Sequence, residues 1–237
     1  MQLELDLAFM QETFLLIWKG AGVTLILTAL ALILAAPVAF YFAVLRVRGY
    51  RVSGALVRGY VSLVRSTPLI LQILLLYSLL PSLLNVALQE LGVAINIFEA
   101  VDPFWYAVFI FTINTIALLT ETFRAALLAI PRGQREAGIA SGLSEFQTYL
   151  HIIVPQALVV ALPSICNITV NLIKGTSLAF LMTVKDITAI GKVAASYGYN
   201  YIEAYLDVFI VYLVLCTIVQ LMFQAAERRV GAFRSPS

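Results

Sequence analysis

Few residues in this chain have the type and spacing to do chemistry. The clearest set is Ser164, Asn167, Asn171 and Lys174, at successive steps of three, four and three residues. On a helix turning about 100° per residue they share a stripe about 80° wide. Asn114, Glu121 and Arg124 share a face in the same way. So do Ser62, Arg65 and Gln72, with Pro68 bending the helix between them. Such groups can bind and orient a polar solute. They can equally hydrogen-bond one helix to another, and the residues alone leave both readings open. Glu121 and Arg124, one turn apart, are expected to form a structural ion pair. Lys174 is the candidate for contact with a solute or an outer gate, and Arg65 for contact with an acidic partner or a solute carboxylate. No catalytic residue and no metal ligand set is expected. The single histidine, His151, has no H-E-x-x-H context. Cys166 and Cys216 lie in apolar stretches and are expected to be small buried hydrophobes.

These side chains need elements to position them, and the composition says which solvent those elements face. Of 237 residues, 62% are hydrophobic and 12% charged, with a net charge of +2. That charged share is about half of what a soluble domain carries. It excludes an ordinary soluble domain, a disordered chain and a nucleic-acid binder with a large basic face. Lipid is the expected solvent. A spanning helix needs roughly 20 mostly apolar residues, and five stretches qualify, at about 17–45, 56–84, 104–130, 155–183 and 205–226. Helices rather than a barrel are expected, because the runs are long and continuous and an unpaired backbone is costly in lipid. The first stretch lacks a basic flank, having Glu4, Asp6 and Glu12 before it, and is read as a mature helix.

The distribution of Lys and Arg among short loops sets the expected orientation. Arg46, Arg48 and Arg51 follow the first span, Arg132 and Arg135 the third, and Arg228, Arg229 and Arg234 the fifth. The connection 81–103 carries Glu90, Glu99 and Asp102 with no base. The expectation is an all-α polytopic membrane protein forming a single membrane domain, with the N-terminus outside and the C-terminus inside. Lys174, Lys185 and Lys192 run against the bias. The fourth connection, Asp186 to Glu203, is expected to hold a short interfacial helix with Tyr197, Tyr199 and Tyr201 at the headgroup level.

The third connection, 131–154, is the most informative. Pro131 and Gly133 stop the preceding span, residues 136–140 can form a short helix of small residues, and Gly142 breaks it. Glu136, Ala137, Gly138, Gly142, Ile152 and Pro155 resemble the coupling loop of permease subunits of bacterial binding-protein-dependent ABC importers. Val154 stands where Leu is common. Arg65-Ser66-Thr67-Pro68-Leu69-Ile70-Leu71-Gln72 is similar to a segment of the polar amino acid branch of that family, with Ser66 replacing Gly. Glu121-Thr122-Phe123-Arg124, the stretch Ile130-Pro131-Arg132-Gly133-Gln134, and Ile173-Lys174-Gly175-Thr176-Ser177-Leu178 resemble further motifs of the branch, in the same order.

The resemblance implies a cytoplasmic coupling helix between the third and fourth spans, with Glu136, Ala137, Gly138 and Gly142 meeting an ATPase. It implies that Arg65, Gln72, Asn114, Ser164, Asn167, Asn171, Lys174 and Ser177 belong to a substrate pathway. It implies no cofactor in this chain, with ATP and magnesium on a partner ATPase dimer. The chain agrees in lacking a G-x-x-x-x-G-K-[ST] loop. Further implied partners are a second permease chain, an external substrate-binding protein, an amino-acid substrate and the bilayer; nucleic acid is not among them. The implied location is the bacterial inner membrane. Phe146 to Lys185 contains no Asp or Glu to answer a cationic side chain, which favours a neutral or cystine-like amino acid over a cationic one. A cationic amino acid importer of the same family, or an ATP-independent secondary transporter, are the alternatives. The latter would need an inverted repeat or buried coupling acids.

Overall fold

The computed structural model describes residues 5–93 and 95–231, so Glu4 and Arg234, used in the charge argument, lie outside the described residues. The described chain is helical, with no strand in it. The helices are α1 (Leu7–Val47), α2 (Arg51–Ser66), α3 (Leu69–Glu90), α4 (Ile97–Ala100), α5 (Pro103–Leu128), α6 (Arg132–Ala140), α7 (Glu145–Thr148), α8 (Val154–Gly175), α9 (Ile187–Gly198) and α10 (Tyr201–Gly231). A π-helical turn, Tyr149–Ile153, joins α7 to α8, and a 3₁₀ segment, Thr176–Met182, continues α8. Five helical stretches are long and apolar enough to cross a membrane: Leu7–Val47, Leu69–Glu90, Pro103–Leu128, Glu145–Met182 and Tyr201–Val230.

The second span differs from the expected 56–84. Pro68 has no backbone N–H to donate and adopts an extended conformation, φ −61° and ψ 136°, as the cap of α3. The residue before a proline also avoids helical geometry. The helix therefore stops at Ser66 and restarts at Leu69 instead of bending. Arg65 and Gln72 consequently do not share a continuous helical face. Gln72 turns back, its Nε2 donating to the Thr67 carbonyl at 3.0 Å and to Thr67 Oγ1 at 2.8 Å. Pro81, taken as the start of the second connection, lies inside α3, which runs on to Glu90, beyond the expected end at 84.

The chain forms two compact units. One comprises the chain up to Leu32, Thr67–Ile113 and Asn171–Thr217; the other comprises Ile33–Ser66, Asn114–Val170 and the chain from Ile218 onward. In the first unit, Leu27, Ile73, Ile110, Phe111 and Met182 make one core, and Ile17, Ala21, Ile187, Val211 and Leu215 a second. The fourth connection does hold a helix, α9, which buries Ile187, Gly191 and Ala195 against the rest of the first unit. Glycine permits this seating. A Cβ on Gly20 would sit 2.8 Å from the Ile187 backbone nitrogen, and one on Gly191 would sit 2.6 Å from Val208 Cγ2. Tyr197 and Tyr199 remain exposed. In the second unit, Ala35, Ala39 and Ala43 form a fully buried small-residue stripe on α1, the pattern that lets membrane helices approach closely. The amphipathic α2 buries Gly54, Val57, Val61 and Val64 at helical spacing.

Candidate functional site

The loop 131–154 folds into a braced element within the second unit. Pro131 precedes the first helical residue of α6, where its missing N–H costs nothing. Gly142 ends the helix in the left-handed region at φ +86°. Its N–H donates to the Ile139 carbonyl at 3.0 Å, and the N–H of Leu143 reaches the Gly138 carbonyl at 3.2 Å. That paired closure is a Schellman cap, and it asks for glycine at this position. Ser144 then caps α7 with a reciprocal Gln147 bond. Gly138 is buried against this second piece; a Cβ there would lie 2.6 Å from Thr148 Cγ2 and 3.0 Å from Ile152 Cδ1. An ion pair between Arg135 and Glu145 ties the two arms on the exposed side. Arg48 lies over the Tyr149 ring at 5.7 Å. The result leaves Glu136, Ala137 and Ile139 exposed on a short rigid helix, beside a cleft of about 750 Å³ lined by Arg48, Arg132, Arg135 and Glu136.

The predicted pathway residues are divided between the units. Ser164, Asn167, Asn171 and Lys174 are all exposed along α8, the face expected from their spacing. Ser177 is half-buried on the 3₁₀ segment. A line of exposed polar groups on a spanning helix is costly against lipid and suits water, solute or a neighbouring chain. Arg65 is exposed at the end of α2 and, with Arg46, Arg58, Ser62, Ser66 and Glu121, lines a cleft of about 520 Å³ in the second unit. Asn114 is half-buried on α5. Gln72 serves its own helix start, as described above.

Glu121 is paired with Arg124, Nε to Oε2 at 2.9 Å, and also with Arg46 on α1. Arg46 lies 75 positions from Glu121, out of reach of any local pattern. A buried cluster in the first unit is equally absent from the expected site residues. Asp186 is fully buried; its Oδ1 accepts from the Ala189 N–H at 2.8 Å and its Oδ2 from Tyr212 Oη–H at 3.1 Å. The hydroxyls of Thr188 and Thr176 lie 3.3 and 3.5 Å from that same Tyr212 oxygen. Burial holds the Asp186 carboxyl above its ordinary range, opposed only in part by these hydrogen bonds. The available signal was an Asp directly before an apolar helical run, the pattern of an N-cap. The lysines that ran against the charge bias differ in setting: Lys192 Nζ sits 4.0 Å over the Phe180 ring, whereas Lys174 and Lys185 are exposed.

Five spanning helices, one bearing an exposed polar stripe, define a multi-pass membrane protein. Residues 35–232 match the family described as binding-protein-dependent transport system inner membrane component, and the chain belongs to that family. It is similar to the probable amino-acid ABC transporter permease protein PatM of Vibrio harveyi, at 33% identity over 93% of this chain and 95% of that one. It is likewise similar to the L-cystine transport system permease protein TcyL of Bacillus subtilis, at 29% identity over 88% of this chain and 84% of the other. Among solved structures it resembles a crystal structure described as an amino acid ABC transporter with histidines. The TM-score there is 0.79 and the identity 25%, over 96% of this chain and 100% of that one.

Proposed function

We propose that this chain is the transmembrane subunit of an ATP-driven importer that carries a polar amino acid, neutral or cystine-like, across the bacterial inner membrane. The observation that carries the reading is the α6 element: a helix held rigid by a buried Gly138 and a Schellman cap, yet presenting Glu136 and Ala137 outward. A connector that merely joined two spans would need neither the bracing nor the exposed face. Docked in a groove of a separate ATPase, α6 transmits closure of an ATPase dimer to the spans that flank it, a rigid-body switch between two accesses. ATP and magnesium belong to that partner, and a second permease chain and an external binding protein complete the assembly. The N-terminus lies outside and the C-terminus inside.

The substrate class rests on charge. The cleft at Arg65 holds three arginines and one acid, and that acid, Glu121, is already held by Arg46 and Arg124. Such a lining answers a carboxylate and repels a cationic side chain. The exposed stripe of α8 offers amide and hydroxyl groups and one lysine, again without an acid. The test is uptake in proteoliposomes holding this chain with its ATPase and binding protein. ATP-dependent accumulation of labelled cystine or a neutral polar amino acid is expected. Accumulation that persists without ATP, or that is confined to arginine and lysine, would overturn the corresponding half of the reading.

A further inference from the structure

Asp207 is a buried carboxylate outside the coupling element and the polar stripe. It sits on α10, seven residues into the helix, and is 2% exposed. Its Oδ2 has no hydrogen-bond partner among the described residues. Asp186 shows how this fold satisfies a buried acid when the chain itself does so, with donors on both oxygens. Nothing comparable reaches Asp207. An ionised carboxylate in apolar surroundings persists only if a counter-charge or donors arrive from elsewhere.

The surroundings say what could arrive. Asp207 lines an open recess of about 480 Å³ together with Met10, Gln11, Phe14 and Leu15 of α1. No Lys or Arg lines it. One turn earlier on α10 is another acid, Glu203, whose Oε1 accepts from the Asp6 N–H at 3.3 Å, so the local field attracts a cation. The walls are otherwise apolar, and Leu15 is exposed to the surrounding solvent. Phe14 stacks on Trp18 with centroids 6.2 Å apart, and an aromatic pair near a helix start suits the headgroup level of a bilayer. Gln11 adds an amide that can donate to a phosphate or ester oxygen. An inorganic cation would want several oxygen ligands, and the recess supplies one carboxylate and one amide. The combination of a lone acceptor for charge, one donor beside it and apolar walls open to the side fits an amphiphile.

We propose that the Asp207 recess binds an aminophospholipid, with Asp207 accepting hydrogen bonds from the primary ammonium of the headgroup, Gln11 beside its phosphate, and Met10, Phe14 and Leu15 against its chains. This site is independent of the transport reading. The discriminating pair of probes is phosphatidylethanolamine and phosphatidylcholine with identical chains, because the fully methylated ammonium has no N–H to donate.

The purified protein would be placed in nanodiscs of each lipid, its thermal unfolding recorded, and retained lipid counted by native mass spectrometry. Phosphatidylethanolamine is expected to raise the unfolding temperature by several degrees over phosphatidylcholine. Asp207→Asn, close in shape and without charge, is expected to abolish that difference and weaken retention by about tenfold. Gln11→Leu is expected to weaken retention less. Equal stability in the two lipids would overturn the proposal, as would an Asp207→Asn protein that keeps the preference. Added sodium or potassium in phosphatidylcholine serves as a third arm: stabilisation of the parent but not of Asp207→Asn would assign the site to an inorganic cation instead. A change of oligomeric state in Asp207→Asn without any lipid dependence would assign it to a second copy of the chain.

Discussion

The two compact units solve the same problem, a carboxylate away from water, in different ways. In the second unit Glu121 is held by two guanidiniums, Arg46 and Arg124. In the first unit Asp186 is held by neutral donors, a backbone N–H and a tyrosine hydroxyl, and Asp207 has no donor to Oδ2 among the described residues. The difference follows from where bases can be supplied. The second unit contains the connections rich in arginine, whereas the groups around Asp186 in the first are the hydroxyls of Tyr212, Thr188 and Thr176. Acids paired with arginine stay charged and rigid. An acid buried among neutral donors has its carboxyl pushed above the ordinary range by desolvation. The comparison therefore predicts different responses to mutation and to pH.

The largest effect is expected at Glu121. Glu121→Ala leaves two half-buried guanidiniums facing each other with no anion, and breaking such a pair costs about 3 kcal/mol. Thermal unfolding in nanodiscs should show it as a large drop in unfolding temperature. Adding Arg46→Met to the same chain removes one stranded charge and should recover part of the loss. A double variant no better than the single one would mean that the arginines do not depend on Glu121.

Asp186→Ala comes next. It removes the cap of α9 and the carboxylate acceptor of the Tyr212 hydroxyl, leaving that hydroxyl only the longer Thr188 and Thr176 contacts, which together cost about 2 kcal/mol. The pH response distinguishes this site from Glu121. Because burial raises the Asp186 carboxyl above its ordinary 3.8, the folded chain holds that proton more tightly than the unfolded chain does. Stability should therefore fall as pH rises from the ordinary value through the raised one, and level off above it. Asp186→Asn keeps the cap acceptor and should flatten that part of the curve. An unchanged slope in Asp186→Asn would place the titrating group elsewhere.

Smaller effects are expected in the braced loop. Gly138→Ala drives a Cβ to 2.6 Å from Thr148 Cγ2, an overpacking of about 1–2 kcal/mol. Adding Thr148→Ala, which removes both the opposing methyl and the hydroxyl at 2.9 Å, should restore part of it. Gly142→Ala meets open space, but its φ of +86° disfavours a side chain, a cost of about 1 kcal/mol. Both changes disturb the fold of the loop before they disturb any partner, so neither alone reports on docking.

What was legible in the sequence was what repeats locally. Long apolar runs gave five spans, and the three- and four-residue steps in α8 put Ser164, Asn167, Asn171 and Lys174 on one exposed face. Glycine and proline marked the ends of α6. What was hidden depends on distance along the chain or on a neighbour's shape. Arg46 meets Glu121 only through tertiary packing, and Tyr212 meets Asp186 across 26 positions. The break at Pro68 was visible as a proline, but whether a proline bends or ends a helix depends on what can take up the freed carbonyls. Here Gln72 takes up that of Thr67. Buried glycines such as Gly20, Gly138 and Gly191 look alike in sequence and differ only in what stands opposite.

The smallest effect on stability is expected where the proposed role is largest. Glu136 is exposed, and Glu136→Ala removes no contact that braces the loop, so unfolding should shift by no more than about 0.5 kcal/mol. If α6 seats in an ATPase, the same change alters the face that is seated, and ATP-driven uptake should fall by tenfold or more, about 1.4 kcal/mol of lost coupling. Glu136→Gln, which retains hydrogen bonding without charge, should fall between the two. Measuring unfolding, ATPase association and uptake on one preparation separates the cases. Full uptake from a stable Glu136→Ala protein would show that the exposed face of α6 does not carry the coupling, whatever the loop's resemblance. Lost uptake with intact association would instead place Glu136 in transmission rather than in docking, because the loop would still be seated while its motion no longer reached the spans.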